Sequence, residues 1–284
     1  MDGMSERAAD SPKLEASEQQ QAERHAPLRP LVIHEIIRAE GEVELQRSVW
    51  SLSWSGLAAG LSMGFSFATQ ALLKSDLGEG PGAHALASFG YTLGFLIVVL
   101  GRQQLFTEST LTAVLPALTH RNLATWLKTG RLWGVVLAAN IVGTWLFATA
   151  LAWGRPLPAE TGPALAELAA ATIGNGFWAT VLRAVLSGWL IALMVWLLPS
   201  AHTAKILVIV AITWVVALAE LPHSIAGSVE ASYGVLTGAY PFADYLLRFL
   251  VPTLLGNVIG GVSLVAMLNH APLSEEVEDV QDEG

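Results

Sequence analysis

Apolar residues fill most of the chain between residues 49 and 268, in long runs separated by short polar stretches. A helix needs about 20 such residues to cross a hydrocarbon core of roughly 30 Å, because each residue adds about 1.5 Å. By this measure the runs predict six membrane-spanning units. Four of them have the length of one continuous helix, at 49–73, 123–153, 177–198 and 245–268.

The second and fifth units, at 86–118 and 206–236, are interrupted. The second contains the polar stretch GRQQLFTES at 101–109, and the fifth contains AELPHSIAGS at 219–228. Pro222 has no N–H to give to the preceding helical turn, and the charged groups of the first stretch cannot face lipid. Irregular backbone within a membrane is tolerated only where protein or a watery cavity surrounds it. Both interruptions therefore predict a solute site at mid-membrane.

His223, in the second interruption, is the leading candidate for a functional residue. An ionisable side chain at mid-membrane is functional by default, and a half-helix beginning near Ser224 would aim its free N–H groups and positive dipole end at a solute beside it. A bare carboxylate in apolar surroundings is costly. We therefore expect His223, or water that it orients, to protonate a weak acid as it crosses. The alternative is a neutral buried histidine that only bonds a backbone carbonyl.

Interruptions in the second and fifth of six units indicate a duplication. The LFT of 105–107 matches the LPH of 221–223 at an offset of 116, and LAANIVG around Asn140 matches LLGNVIG around Asn257 at an offset of 117. Three units per copy is an odd number, so the second copy must be inverted in the membrane. The sequence predicts an all-α polytopic membrane protein with two inverted three-span repeats. We place these repeats at 49–153 and 176–268.

Composition agrees with a membrane protein, since 53% of the residues are hydrophobic and 14% are charged. The net charge of −9 is concentrated near the two ends of the chain. We expect a disordered cytoplasmic tail at 1–31 and an acidic cytoplasmic tail at 269–284. An amphipathic helix is predicted at 32–48, either on the membrane surface or packed on a neighbouring subunit. Basic residues in the short flanks place both termini in the cytoplasm.

Several classes of function are excluded. The lack of cysteine rules out disulfides, thiolate metal sites and thiol catalysis. No nucleophile triad, metal-ligand cluster, phosphate-binding loop or basic patch is recognisable. The sequence therefore predicts a protein that is not an enzyme, has no cofactor or metal, and has a lipid bilayer and a small solute as partners rather than nucleic acid.

The stretch 32–270 resembles the formate/nitrite transporter family. The resemblance rests on LFT at 105–107, HSIA at 223–226 and GNVIGG at 256–261. The segment GRQQLFTE at 101–108 is most similar to the YfdC-like branch of this family. It implies an aquaporin-like fold and a homopentamer in the inner membrane with one pore per subunit. It also implies that the solutes are small monovalent anions such as formate or nitrite.

The resemblance also implies roles for particular residues. Thr107 would face His223, the central histidine, and Asn257 would hydrogen-bond that histidine. The narrow apolar part of the pore would be formed by four side chains, Leu105, Phe106, Val195 and Val216. Plain core packing is the alternative for the two valines.

Two departures from the family affect its anion selectivity. Gly176 stands where the formate channels have a lysine, and Pro222 stands where they have a glutamate directly before the histidine. The charged residues Arg102, Glu108 and Glu220 crowd the two interruptions and have two interpretations. They form an ion-pair network that braces the loops, or the glutamates are pore charges of a conduit for a neutral solute or a cation. A third hypothesis is a closed-pore membrane scaffold or sensor.

Overall fold

The computed structural model describes residues 14–19 and 28–267, and this part of the chain is helical. Most of the predicted tail at 1–31, and all of that at 269–284, lies outside the described residues. The helices in chain order are α1 (Pro30–Gln46), α2 (Val49–Leu77), α3 (Ala83–Leu100), α4 (Phe106–Thr112), α5 (Val114–His120), α6 (Leu123–Gly154), α7 (Gly162–Ala171), α8 (Phe177–Leu197), α9 (Lys205–Leu218), α10 (Ala226–Leu236) and α11 (Phe242–Ser263).

Five of the described helices are long and apolar enough to cross a membrane, judged by length and composition. They are α2, α3, α6, α8 and α11. The apolar helix that ends at Leu218 is shorter, and α10 follows it after a gap of seven residues, 219–225. A similar gap at 101–105 separates α3 from α4. These are the positions at which the sequence carries its two polar interruptions.

The helices before the two gaps end in the same way. Arg102 and Glu220, the second residues after α3 and α9, both have a left-handed backbone with φ of 50°. In each case the next residue donates its N–H to a carbonyl five positions earlier, at 3.0 Å after α3 and 2.9 Å after α9. This is the Schellman ending, which satisfies the last carbonyls of a helix and turns the chain out of it.

Close helix pairs bring the two asparagine motifs into the core. A Cβ atom added at Gly60 of α2 would lie 2.2 Å from the carbonyl oxygen of Asn140 in α6. The same atom at Gly188 of α8 would lie 2.4 Å from the carbonyl oxygen of Asn257 in α11. Only glycine permits backbones to approach this closely.

Two helices outside these pairs modify the sequence-based picture. The stretch between the units predicted at 123–153 and 177–198 is more than the short polar connection expected there, because it contains α7. This helix has Pro163 in its first turn and continues with Ala and Leu, both strong helix formers. α1 covers most of 32–48, the stretch for which the sequence predicts an amphipathic helix. It buries Ile33 and Ile37 in a cluster with Leu111 of α4, so its apolar face packs on its own chain.

Candidate functional site

His223 lies in the second gap with its imidazole ring buried, at 1% exposure. Its Nε2 atom is 2.8 Å from the hydroxyl oxygen of Thr107, and its Nδ1 atom accepts the backbone N–H of Ala226 at 3.2 Å. The ring of Phe95 meets it edge-on, with centroids 5.1 Å apart. Because a backbone N–H can only donate, we assign the ring proton to Nε2, from which it is donated to Thr107. The imidazole is then neutral, with both nitrogens engaged.

Asn257 holds the backbone on either side of His223. Its Oδ1 accepts the Ser224 N–H at 2.8 Å, and its Nδ2 donates to the carbonyl of Pro222 at 3.2 Å. Nδ2 also lies within 2.9 Å of a carbonyl and 2.8 Å of the Ser187 hydroxyl, both in α8. Asn257 thus positions the histidine through its neighbours, rather than through a bond to the ring.

Asn140 binds the first gap in the same way. Its Oδ1 accepts the N–H of Phe106 at 2.9 Å, and its Nδ2 donates to the carbonyl of Gln104 at 2.9 Å. The same Nδ2 donates to the carbonyl of Gly56 in α2 at 2.7 Å. Irregular backbone in both gaps is therefore satisfied by a buried amide, as a water-poor environment requires.

These bonds relate the two gaps by one constant offset in sequence. The N–H groups that the two asparagines bind, in Phe106 and Ser224, are 118 positions apart, and so are the carbonyls that they bind, in Gln104 and Pro222. The two residues with a left-handed backbone are also 118 positions apart. Leu105 is therefore the counterpart of His223. Thr107, which the sequence pairs with His223 at an offset of 116, is the hydrogen-bond partner of the histidine and lies two positions past that counterpart.

A cavity of about 320 Å³ extends from His223 to the loop between α2 and α3. Val216 and Pro222 form part of its wall beside the histidine. α7 and α10 contribute Glu167 and Glu230. A small solute could therefore reach the histidine from the end of the molecule at which α2 finishes.

Comparison with known proteins agrees with this arrangement. The sequence pattern described as "Formate/nitrite transporter" matches residues 31–271. The chain belongs to the formate/nitrite transporter family. It is 42% identical over 253 residues to the inner membrane protein YfdC of Escherichia coli K12, a match that covers 89% of this chain and 82% of YfdC. It is 24% identical over 243 residues to the formate channel FocA of Haemophilus influenzae, covering 76% of this chain and 84% of FocA.

Two solved structures of the family share the fold. One is described as a "Pentameric formate channel with formate bound", with a TM-score of 0.70 and 21% identity over 79% of this chain and 97% of that chain. The other, an "FNT family ion channel", has a TM-score of 0.70 and 19% identity over 83% and 96% of the two chains. The formate/nitrite transporter family consists of membrane transporters and channels, so this chain is a membrane transport protein and not an enzyme.

The apolar candidates divide into two groups in this member of the family. Leu105, Phe106 and Val216 are buried in one apolar cluster, in which the ring of Phe106 meets that of Trp133 edge-on at 5.9 Å. Val195 lies in a separate cluster with apolar residues of α1 and α4. Three of the four predicted constriction residues therefore belong to one apolar cluster and the fourth belongs to another.

The charged candidates have partners other than those proposed from the sequence. The Arg102 guanidinium is 80% exposed and lies 3.1 Å from a carboxylate oxygen of Glu40. Glu108 lies near Glu44, and its buried Oε1 has no hydrogen-bond partner in the part of the chain that the structure describes. Glu220 is exposed at the edge of the cavity. The prediction of an ion-pair network that joins Arg102 to Glu108 and Glu220 is therefore wrong.

Glu44 connects α1 to the first gap. Its Oε1 accepts the side-chain amide of Gln104 at 2.9 Å, and its Oε2 accepts the hydroxyl of Thr112 at 2.8 Å. Burial raises the pKa of Glu44, and these two hydrogen bonds act in the opposite direction. The carboxyl group thus ties an amphipathic helix to the backbone beside Thr107.

Two side chains around the site were not singled out from the sequence. Arg183 of α8 donates to the carbonyls of Ala219 and Glu220, at 3.0 and 2.9 Å, and so caps the end of α9. Glu230 of α10 lines the same cavity as His223. Both are ionisable residues inside apolar runs, and that signal alone could have identified them.

Proposed function

We propose that this chain forms a pore for small monovalent anions or their conjugate weak acids, with His223 at its centre. The observation that carries the proposal is a buried, neutral imidazole, bonded to Thr107 across the two gaps at the end of a cavity of about 320 Å³. The solute class is supported by relatives and neighbours whose names state that they are formate channels or bind formate.

The proposed architecture has six spans in two inverted three-span repeats, at 49–153 and 176–268, with the second and fifth spans broken at mid-membrane. The matched Schellman endings and the matched bonds of Asn140 and Asn257 support the repeat. A homopentamer is supported by a structural neighbour that is a pentameric channel, and an inner-membrane location by the name of one relative. Cytoplasmic termini rest on the basic flanks of the first span.

The proposed mechanism uses the two half-helices α4 and α10. Their N-termini begin beside the Thr107–His223 bond, so their positive dipole ends attract a small anion toward it. Passage through the apolar cluster of Leu105, Phe106 and Val216 then requires that the solute lose its charge. A weak acid meets this requirement when it crosses in its protonated form.

A conduit for a neutral solute or a cation is the second candidate, and one observation favours it. Four glutamates line the cavity, at positions 79, 167, 220 and 230. Lys74 lines it too, but its ammonium group is 3.1 Å from a carboxylate oxygen of Glu167. Acidic side chains thus outnumber basic ones where a solute would enter.

The proposal is tested by the flux of formate, nitrite and acetate into proteoliposomes. His223→Phe keeps a ring of similar size and removes both nitrogens, and we expect its flux to fall to that of empty liposomes. His202→Asn is the matched control, because His202 is an exposed histidine in a loop with φ of 38°, a conformation that asparagine tolerates. Intact flux in the His223 variant would remove the histidine from the mechanism.

Reversal potentials test the cation path of the second candidate. A solute that crosses as the neutral acid carries no current, whereas an anion path and a cation path shift the potential in opposite directions when the anion gradient is replaced by a cation gradient. A shift that follows the cation would reject the anion pore and favour the second candidate.

A further inference from the structure

Glu230 lies on the face of α10 that continues from His223, which directly precedes the first turn of that helix. The N–H of Gly227 donates to the carbonyl of His223 at 2.9 Å, so the helical turn begins at the histidine. Residues three, four and seven apart share a face of a helix, and positions 223, 227 and 230 all line the cavity. Seven residues of helix place Glu230 about 10 Å nearer the end of the molecule.

The carboxyl group of Glu230 is half-buried and makes neither a hydrogen bond nor an ion pair with any described residue. Glu220, whose charge acts on Glu230, is itself acidic. The titratable groups facing it from the surrounding elements are Lys74, Glu79, His84, Tyr91, Glu167, Glu220 and Tyr240. The one lysine among them is paired with Glu167. An unpaired carboxyl group therefore faces the route to the histidine.

His223 has no spare proton for a solute. Its Nδ1 accepts the N–H of Ala226, and the proton on Nε2 is donated to Thr107. Releasing that proton to an anion would break the bond that joins the two gaps. The cavity needs another proton carrier if a solute is to arrive at the histidine uncharged.

We propose that Glu230 is the proton-transferring residue that neutralises the solute before it reaches His223. This inference rests on the proposed function. The O–H bond of the Glu230 carboxylic acid breaks as a new O–H bond forms on the carboxylate of a small organic anion. The neutral acid then moves on past His223, and the Glu230 carboxylate regains a proton from hydronium in the water on the same side. One proton therefore crosses with each anion, and the solutes are weak monocarboxylic acids rather than anions of strong acids.

The experiment compares Glu230→Gln with wild type in proteoliposomes, using formate and an internal pH dye over a range of external pH. At neutral pH we expect the variant to lose roughly 100-fold in flux, the low end of what a positioned proton donor contributes. As the pH falls, more formate carries its own proton, so the two proteins should converge. Glu230→Asp keeps the carboxyl group and should retain the wild-type pH profile at a lower rate.

The matched control is Glu160→Gln, because Glu160 is an exposed acid at the same end of the molecule that does not line the cavity. Equal flux of Glu230→Gln and wild type at every pH would overturn the inference and leave the proposed function intact. A loss of the same size at every pH would also overturn it, because a structural defect does not depend on the charge of the solute. Absence of wild-type flux at any pH would reject the proposed function and this inference together.

Discussion

The hydroxyl group of Thr107 lies 2.8 Å from Nε2 of His223, so one hydrogen bond joins the two gaps across 116 positions of sequence. Both side chains are buried, at 1% exposure each. A buried donor without an acceptor is costly, so the bond fixes the ring and also makes the two gaps depend on each other.

Replacing Thr107 with valine should destabilise the protein by about 1–3 kcal/mol, because the Nε2–H of His223 loses its acceptor without a change in side-chain volume. Thermal unfolding of the detergent-purified protein measures the effect. Thr107→Ser should restore most of the loss. Thr119→Val is the control, since among the described residues the Thr119 hydroxyl bonds only a carbonyl of its own helix, at 2.9 Å. Equal melting temperatures for the two valine variants would contradict this prediction.

Replacing either Asn140 or Asn257 with alanine should lower the free energy of unfolding by at least about 3 kcal/mol. Several buried backbone groups then lose a hydrogen-bond partner, at about 1–3 kcal/mol each. The two variants should be similar, because the two amides make matching bonds in the two gaps. Asn122→Ala provides the scale. Asn122 caps α6 through a bond of 2.9 Å to the Thr125 N–H, and losing such a cap costs about 1 kcal/mol. Equal melting temperatures for the alanine variants of Asn140, Asn257 and Asn122 would reject the prediction.

Alanine at Gly60 or Gly188 should destabilise by about 1–3 kcal/mol or more, because the added methyl group would meet backbone atoms that cannot move aside. The distances to the carbonyls of Asn140 and Asn257 would be 2.2 and 2.4 Å. Gly130→Ala in α6 is the control, because the added Cβ would meet no described atom within 4 Å beyond its own stretch of helix. It should be neutral or stabilising by up to about 1 kcal/mol. If Gly60→Ala and Gly188→Ala unfold at the same temperature as Gly130→Ala, the backbones are not closely packed at these two sites.

Glu44→Gln should change the pH dependence of stability. Burial raises the pKa of Glu44 above its ordinary value of 4.5, so the folded state keeps a proton that the unfolded chain has lost. The free energy of unfolding therefore falls as the pH rises from about 4.5 through the folded pKa. A glutamine can still form hydrogen bonds with Gln104 and Thr112. The free energy of unfolding of Glu44→Gln should therefore rise relative to that of wild type as the pH approaches neutrality.

Glu35→Gln is the contrasting control on the same helix. The side-chain bond with Arg38 lowers the pKa of Glu35, so its contribution is present at neutral pH and is lost as the pH falls through the folded pKa. Wild type should therefore have a higher free energy of unfolding than Glu35→Gln near neutral pH, and the two values should become equal at acidic pH. Parallel pH curves for wild type and Glu44→Gln would show that the Glu44 carboxyl is not perturbed by burial.

The sequence by itself determined the helical class, the family, and the two positions at which apolar runs are interrupted. It could do so because Pro222, the polar stretch at 101–105 and the two asparagine motifs are local signals whose meaning does not depend on distant residues. Helix α7 was missed although its signal was local too, because a short segment with proline and glutamate is also typical of a loop.

The tertiary structure alone decided which side chains meet. It places Arg102 against Glu40 rather than Glu108, makes Thr107 the partner of His223, and packs Val195 toward α1. Each of these outcomes depends on the rotation and depth of one helix against another. Helical periodicity predicts which residues share a face, but the close approach of backbones at glycines determines which partner that face meets.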